Sequence, residues 1–289
     1  MGVLVGAIGF SGILISVVTH LISGYGWRTT FVIAGAAIMI IGMPLSMVIR
    51  NRPEEYGYVP DGNDRPAKPD KNDSSNHPSA KSGQEKSIGA REALKNPTFW
   101  LLTLVATISG TVLHALIVHV MPALINVGIS RDTAGTLAAS LVISSVIGRM
   151  GFGWLGDRYE KRYLLMICLL LQILGLIIFA YTRTATHAVV FLALYGPGFG
   201  GVITLRLTMQ GDYFGSKSFG AIQGIMQGIH MVGTIASPVF AGWIFDMFAS
   251  YRLVWFVLAI LTFMAIPLVL KLKSPQNSLA FHNQSMTPR

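Results

Sequence analysis

The sequence contains few charged residues and a single cysteine. Charged side chains make up 12% of the 289 residues, whereas 52% are hydrophobic and the mean hydropathy is +0.56. This composition leaves too little polar surface for a soluble domain, so we predict an integral membrane protein. The one cysteine, Cys168, lies in an apolar run. It excludes a disulfide framework or a cysteine metal site within this sequence and is predicted to be a small core side chain.

Acidic residues are absent from the interior of the long apolar runs. All 13 Asp and Glu lie in polar segments or at the ends of the runs, so no carboxylate proton relay is visible there. The tripeptide Gly196, Pro197 and Gly198 superficially suggests a phosphate loop, but it has neither a preceding strand nor a partner Lys-Ser/Thr. We find no nucleophile–base pair or metal-ligand cluster, and therefore predict no enzyme, metal site or cofactor.

Eight apolar runs are long enough to cross the hydrocarbon core of a bilayer, about 30 Å, as helices. None alternates apolar and polar residues as a barrel strand does, so we predict an all-α membrane protein. The runs cover residues 3–22, 31–49, 99–125, 134–154, 163–181, 188–210, 222–245 and 253–270. The first run has neither the basic start nor the cleavage site of a signal peptide, and we expect it to span the membrane too.

Basic residues are distributed unequally between the two sides of the membrane. If the eight runs cross in turn, sixteen Lys and Arg fall on one side, whereas the other side has only Arg28, Arg131, Arg183 and Arg252. The positive-inside rule then places the long polar segment and the C-terminus in the cytoplasm. We expect the membrane to be a plasma or inner membrane. The net charge of +9 is therefore explained by a lipid bilayer as partner and not by nucleic acid.

The composition divides the chain into four parts. We predict two transmembrane helices in residues 1–50, a flexible cytoplasmic linker in 51–96, six helices in 97–273 and a cytoplasmic tail in 274–289. The linker is rich in Pro, Asp, Asn, Lys and Ser, and its last part, 87–95, is predicted to form a short surface helix.

An internal repeat relates the two sides of the linker. The stretch that starts at Gly26-Trp27-Arg28 is similar to the one that starts at Ser250-Tyr251-Arg252, with prolines at comparable distances. The runs before these points both carry glycines near helical spacing, which permits close helix packing in a bilayer. The repeat predicts two related halves, one of them cut short.

The segment 153–162 resembles the loop motif of the major facilitator superfamily. The matching residues are Gly153, Asp157, Arg158, Lys161 and Arg162. Glu160 stands where the motif usually has a glycine. Since members have twelve spans in two halves, the resemblance implies spans five to twelve, without the first four. It also implies that the paired charges of this loop act as a conformational latch; the alternative is that they only set the topology.

Arg149 is a charged residue inside an otherwise charge-free run. A charge in lipid costs roughly 3 kcal/mol even on the scale from insertion experiments, so it usually serves a function. Arg149 precedes Asp157 by eight residues, or about 12 Å along a helix, which predicts a position toward mid-membrane. Its planar guanidinium group can donate two hydrogen bonds to one carboxylate. The alternatives are snorkelling to the interface and pairing with helix carbonyls.

The pair Gly148-Arg149 is similar to the monocarboxylate and oxalate/formate transporter group within that superfamily. The group places a substrate-binding arginine in this span, and the resemblance implies that role for Arg149. The group is also similar in placing a cationic residue in the penultimate span, where this sequence has His230.

Four further residues are candidates for substrate contact. They are Arg206, His230, His114 and Tyr195. For Arg206 the alternative is snorkelling or a gate ion pair, and for either histidine it is a structural hydrogen bond. His114 and His119, five residues apart, do not share a helix face, which disfavours a joint metal site. Tyr195 and Gln210 lie in a run where the Gly196-Pro197-Gly198 tripeptide predicts a bent or unwound helix around a cavity.

These observations favour a secondary transporter of small organic anions, resembling monocarboxylate transporters, that works by alternating access. A coupling proton would pass through histidine, through the substrate or through spans outside this sequence. One alternative is an efflux transporter of drugs or lipophilic compounds, with Arg149 as a structural residue. Another is a truncated membrane subunit that depends on a partner or does not transport.

Overall fold

The computed structural model describes residues 11–48, 89–215 and 218–272, in which all regular structure is α-helical. The helices are α1 (Ser11–Val48), α2 (Ala90–Ala93), α3 (Pro97–Asn126), α4 (Arg131–Gly156), α5 (Lys161–Ala180), α6 (Ala185–Phe214), α7 (Phe219–Phe248) and α8 (Tyr251–Leu270). Seven of these described helices, all except α2, contain a stretch long and apolar enough to cross a membrane. The predicted all-α, multi-pass membrane protein is therefore confirmed.

The chain forms two compact units, residues 13–84 in one and residues 1–12 with 85–289 in the other. The described part of the first unit belongs to α1. Helical geometry breaks at Gly26, with φ 75° and ψ 160°, a backbone conformation that glycine adopts without penalty. The break falls between the first two predicted runs, whose described residues, 11–22 and 31–48, are thus two parts of α1. Residues 3–10 of the first run, most of the predicted linker and the predicted tail lie outside the described residues.

Six long helices pack together in the second unit. α6 packs along α4 and α5, α3 packs against α7 and α8, and α5 also packs against α8. These helices correspond to the six runs predicted after the linker. The predicted surface helix at 87–95 is present as the single turn α2, and its Ala93 is buried in the bundle.

Two clusters of buried apolar side chains fill the bundle, one toward each end. The cluster near the start of α3 and α5 includes Phe99 and Leu165, and the opposite cluster includes Phe191 and Trp255. Large apolar side chains such as Phe263 remain exposed on the surface of the bundle. Because lipid is as apolar as these side chains, contact between the helices depends on close packing and hydrogen bonds.

Polar residues at the helix ends extend the helices beyond the predicted apolar runs. Asn96 accepts a hydrogen bond from the backbone N–H of Thr98 (2.9 Å), and Pro97 occupies the first position of α3. Ser130 accepts one from the N–H of Thr133 (3.3 Å) before α4. Since these side chains satisfy amide groups that have no partner within the helix, the helices begin in polar sequence.

Of the bent or unwound helix predicted at Gly196-Pro197-Gly198, the unwinding is wrong, because α6 is helical throughout. The glycines allow close packing instead. A Cβ atom on Gly196 would overlap Ser144 of α4, and one on Gly198 would lie 2.7 Å from the carbonyl of Cys168 in α5. The tripeptide therefore brings three helices together.

Candidate functional site

α4 and α6 approach closely because glycines lie at their contact. A Cβ atom on Gly148 would overlap the carbonyl of Pro197, and one on Gly200 would overlap the carbonyl of Ser145. These are backbone atoms, which cannot rotate away as a side chain would. The two glycines therefore set the distance between the helices, and they fix the backbone of Arg149, which follows Gly148, at this contact.

The side chain of Arg149 is buried, with 5% of the residue exposed. Its guanidinium carbon lies 6.0 Å from the centroid of the Phe199 ring on α6, within the range of a cation–π contact. This burial within the bundle favours an internal position over snorkelling to the membrane surface.

His114 on α3 and His230 on α7 are brought together at the contact between these helices. Their ring centroids are 6.2 Å apart, and the rings meet edge to face. His114 Nδ1 donates to the carbonyl of Gly110 (2.9 Å), and Gln227 Nε2 donates to His230 Nδ1 (3.3 Å). The His230 ring fills the space above Gly110, where a Cβ atom would overlap it. The two histidines therefore form a pair that the sequence did not predict.

One face of α6 carries the remaining candidates. Tyr195, Phe199 and Arg206 follow one another at intervals of four and seven residues, which places them on the same side of a helix. Arg206 is half-buried. The buried Nη1 of Arg206 has no hydrogen-bond partner among the described residues.

Tyr195 is fully buried and packs its ring against Phe191, with centroids 5.4 Å apart. Its hydroxyl has no hydrogen-bond partner within the described ranges. The ring thus belongs to the core, and the hydroxyl keeps its hydrogen-bonding capacity. Gln210 lies farther along α6 and donates to the backbone carbonyl of Phe219 (3.1 Å), which connects α6 to the start of α7.

His119 has a structural environment different from that of His114. Its Nε2 donates to the carbonyl of Pro238 on α7 (2.9 Å), and its Nδ1 accepts from the hydroxyl of Tyr251 on α8 (3.3 Å). Both ring nitrogens are used in contacts between helices. His119 therefore makes structural hydrogen bonds to neighbouring helices, which is the alternative given above to substrate contact by a histidine.

The loop motif connects the ends of three helices. Lys161, at the start of α5, forms an ion pair with Asp212 near the end of α6 (2.5 Å). Arg162 forms an ion pair with Glu160 (3.2 Å) and donates to the carbonyl of Leu272, just beyond α8 (3.0 Å). The partner of Lys161 on α6 was not predicted, because it lies 51 residues away.

The other motif residues lie on and after the last turn of α4. Arg158 stacks on Trp154, with its guanidinium carbon 3.8 Å from a ring centroid. Asp157 is exposed at the C-terminal cap of α4, and Gly153 is half-buried within the helix.

The candidate residues lie at two helix contacts, Arg149 where α4 meets α6 and the two histidines where α3 meets α7, and none of them belongs to a described ligand set for a metal ion. Two arginines and two histidines come from α3, α4, α6 and α7, and within residues 11–48, 89–215 and 218–272 no three His, Cys, Asp or Glu side chains are grouped so that they could hold a metal ion. These side chains are suited chemically to binding an anion, with guanidinium groups as hydrogen-bond donors.

A family model described as the Major Facilitator Superfamily matches residues 114–286. The chain belongs to the Major Facilitator Superfamily. This membership agrees with the resemblance of the loop 153–162.

Two transport proteins illustrate the similarity at the sequence level. The chain is 26% identical to Monocarboxylate transporter 12-B of Danio rerio over 85% of its own length and 54% of that protein. It is 23% identical to the Benzoate transport protein of Acinetobacter baylyi over 77% of its length and 50% of that protein. The chain thus spans about half the length of these curated relatives.

Two solved structures show the same fold. The crystal structure of the superfamily transporter FucP in its outward conformation matches 88% of the chain with a TM-score of 0.56 and 14% identity. The inward-facing, unoccupied structure of a bacterial homologue of the human lysosomal transporter Spinster matches 92% with a TM-score of 0.55 and 22% identity.

Proposed function

We propose that this protein is a secondary transporter of small organic anions of the monocarboxylate type, working by alternating access. The observation that carries the proposal is the buried guanidinium of Arg149 in an apolar helix. A charge in this position is costly, and a bound carboxylate offsets that cost through charge-assisted hydrogen bonds.

The distribution of charge supports an anion as the substrate. Arg149 and Arg206 lie within the apolar runs, whereas the 13 acidic residues all lie outside their interiors. Substrate cations would meet net repulsion there, and anions would be attracted. The relatives named for monocarboxylate and benzoate transport support the same substrate class, at 26% and 23% identity.

Each candidate residue has a distinct role in the proposal. Arg149 binds the carboxylate in bidentate geometry, and Arg206 adds a second positive charge. The hydroxyl of Tyr195 donates to the substrate. His230, with His114 beside it, binds the anion when protonated and provides a route for a coupling proton, since imidazole changes charge near neutral pH.

The loop contacts supply a latch in this proposal. Lys161 with Asp212, and Arg162 with the end of α8, hold the ends of α5, α6 and α8 in one arrangement. In a rocking mechanism, these contacts would break in one conformation and form again in the other. In this proposal the linker and the C-terminus face the cytoplasm, because most Lys and Arg lie on that side. The membrane is a plasma or inner membrane.

The test is uptake of a radiolabelled hydroxycarboxylate, such as lactate, into vesicles from cells that express the chain. We expect uptake above that of vesicles without the chain, and we expect unlabelled short carboxylates to compete. Competition by bulky apolar compounds but not by short carboxylates would contradict the proposal and favour an efflux transporter. Absence of uptake in vesicles that contain the folded chain would also contradict it.

A further inference from the structure

A cavity lies at the end of the bundle opposite the loop 153–162. Its volume is about 200 Å³, and it is formed by the ends of α3 and α5 and the start of α8. Two arginines line it, Arg183 just after α5 and Arg252 in the first turn of α8. The sequence places only four Lys or Arg on this side of the membrane, so two of the four line one cavity.

The positive charges at this cavity are available to a ligand. The guanidinium carbon of Arg252 lies 4.2 Å from the centroid of the Tyr181 ring and 5.9 Å from that of Phe256. Stacking covers the face of a guanidinium group and leaves its N–H edge free to donate. The ion pairs within the described part of the chain join other side chains, so neither Arg183 nor Arg252 is neutralised by a described carboxylate.

The floor of the cavity is aromatic. The rings of Phe179 and Trp255 lie 4.8 Å apart, and Tyr251 stacks on Trp255 at 5.9 Å. Phe179 and Trp255 are 3% and 2% exposed. Asp246 of α7 is close enough to act on the hydroxyl of Tyr251, but its side chain does not line the cavity. The cavity therefore combines a basic rim with an apolar floor.

We propose that this cavity is an anion-binding site, separate from the transport site at Arg149. Arg183 and Arg252 bind a carboxylate or a phosphate, and the exposed ring of Tyr181 contacts the apolar part of the ligand. The volume is below the roughly 300–1,000 Å³ of sites for drug-sized ligands, so it suits a small aromatic acid or one lipid headgroup. By attracting anions, the two arginines raise their local concentration at this end of the protein.

Hydrogen–deuterium exchange of the full chain in lipid nanodiscs tests this proposal, because exchange reports on individual segments. One sample adds benzoate to phosphatidylcholine nanodiscs, and a second uses phosphatidylglycerol nanodiscs without benzoate. Slower exchange in segments 179–184 and 250–256 with benzoate identifies a soluble carboxylate as the ligand. Slower exchange only in phosphatidylglycerol identifies a lipid phosphate. Unchanged exchange in both samples overturns the proposal.

Exposed arginines can be replaced without disturbing the core, which provides the matched variants. In Arg183→Gln/Arg252→Gln, the ligand concentration that gives half of the protection should rise at least tenfold. Arg131→Gln, at the start of α4 on the same side, should leave it unchanged. Arg149→Gln should also keep the protection, even if carboxylate uptake is lost, since the two sites are separate. Full protection in the double variant, or loss of protection in Arg149→Gln, overturns the proposal.

Discussion

Two glycines on α4 provide a matched test of the close contact that holds Arg149. Gly148 faces the backbone of α6, where a Cβ atom would overlap the carbonyl of Pro197, whereas a Cβ atom on Gly151 would have no neighbour within 4 Å. Both residues lie within the helix, three positions apart. Alanine at each site therefore has the same effect on helix propensity and a different effect on packing.

The expected change in the free energy of unfolding has two contributions, helix propensity and packing between helices. Replacing glycine by alanine inside a helix stabilises it by roughly 0.5–1 kcal/mol, which should be the whole effect at Gly151. At Gly148 the helices must move apart, and an extra methyl in a packed interior costs about 1–3 kcal/mol. Because the helix term cancels between the variants, Gly148→Ala should be less stable than Gly151→Ala by about 1–3 kcal/mol.

The free energy of unfolding can be measured for both variants by titration with sodium dodecyl sulfate in mixed micelles, followed by circular dichroism. Carboxylate uptake should fall in Gly148→Ala and stay unchanged in Gly151→Ala, since only the first substitution moves the backbone of Arg149. Equal stability of the two variants would refute the assignment of Gly148 to a tight contact between α4 and α6.

Three further predictions concern contacts between helices. His119→Ala should destabilise the protein by about 1–3 kcal/mol, because it removes the hydrogen bond to Pro238 and the packing of the ring against α7. Tyr251→Phe removes one hydrogen bond and should cost only about 1 kcal/mol; the same unfolding titration measures both, and equal effects would contradict the assigned contacts. In a double-mutant cycle, Lys161→Ala and Asp212→Ala should show a coupling of at most about 1 kcal/mol that weakens with salt, and a salt-independent coupling would contradict an exposed ion pair. Cys168 is 0% exposed and should react with a maleimide only after unfolding, so rapid labelling of the folded protein would place it elsewhere.

The helices themselves could be predicted from apolar runs, but their ends could not. α4 was predicted over 134–154 and covers Arg131–Gly156. The three additional residues at its start, Arg131, Asp132 and Thr133, are polar, and they join the helix because Ser130 caps its first turn. Hydropathy reflects the free energy of transferring side chains to lipid. It does not include the hydrogen bonds that decide where a helix begins.

Contacts between residues that are far apart in the sequence could not be predicted either. Arg149 could be chosen because a lone charge in an apolar run is informative by itself. The contact of His114 with His230 and the ion pair of Lys161 with Asp212 depend on which helices are neighbours, and no local pattern encodes that. The two glycines of the Gly196-Pro197-Gly198 tripeptide were visible, but the sequence did not indicate that their small size allows the close approach of α4 and α5.

The most direct test of the proposed function compares uptake by three forms of the chain: the unsubstituted chain, Arg149→Lys and Arg149→Ala. If Arg149 binds the carboxylate, Arg149→Ala should lose at least about tenfold of the initial rate at low substrate concentration, since a hydrogen bond to a charged group contributes about 1.5–3 kcal/mol. Activity retained in Arg149→Lys would indicate that charge alone is sufficient, and loss would indicate that the bidentate fork is required. Unchanged uptake by both variants, at equal amounts of protein in the membrane, would contradict the role of Arg149.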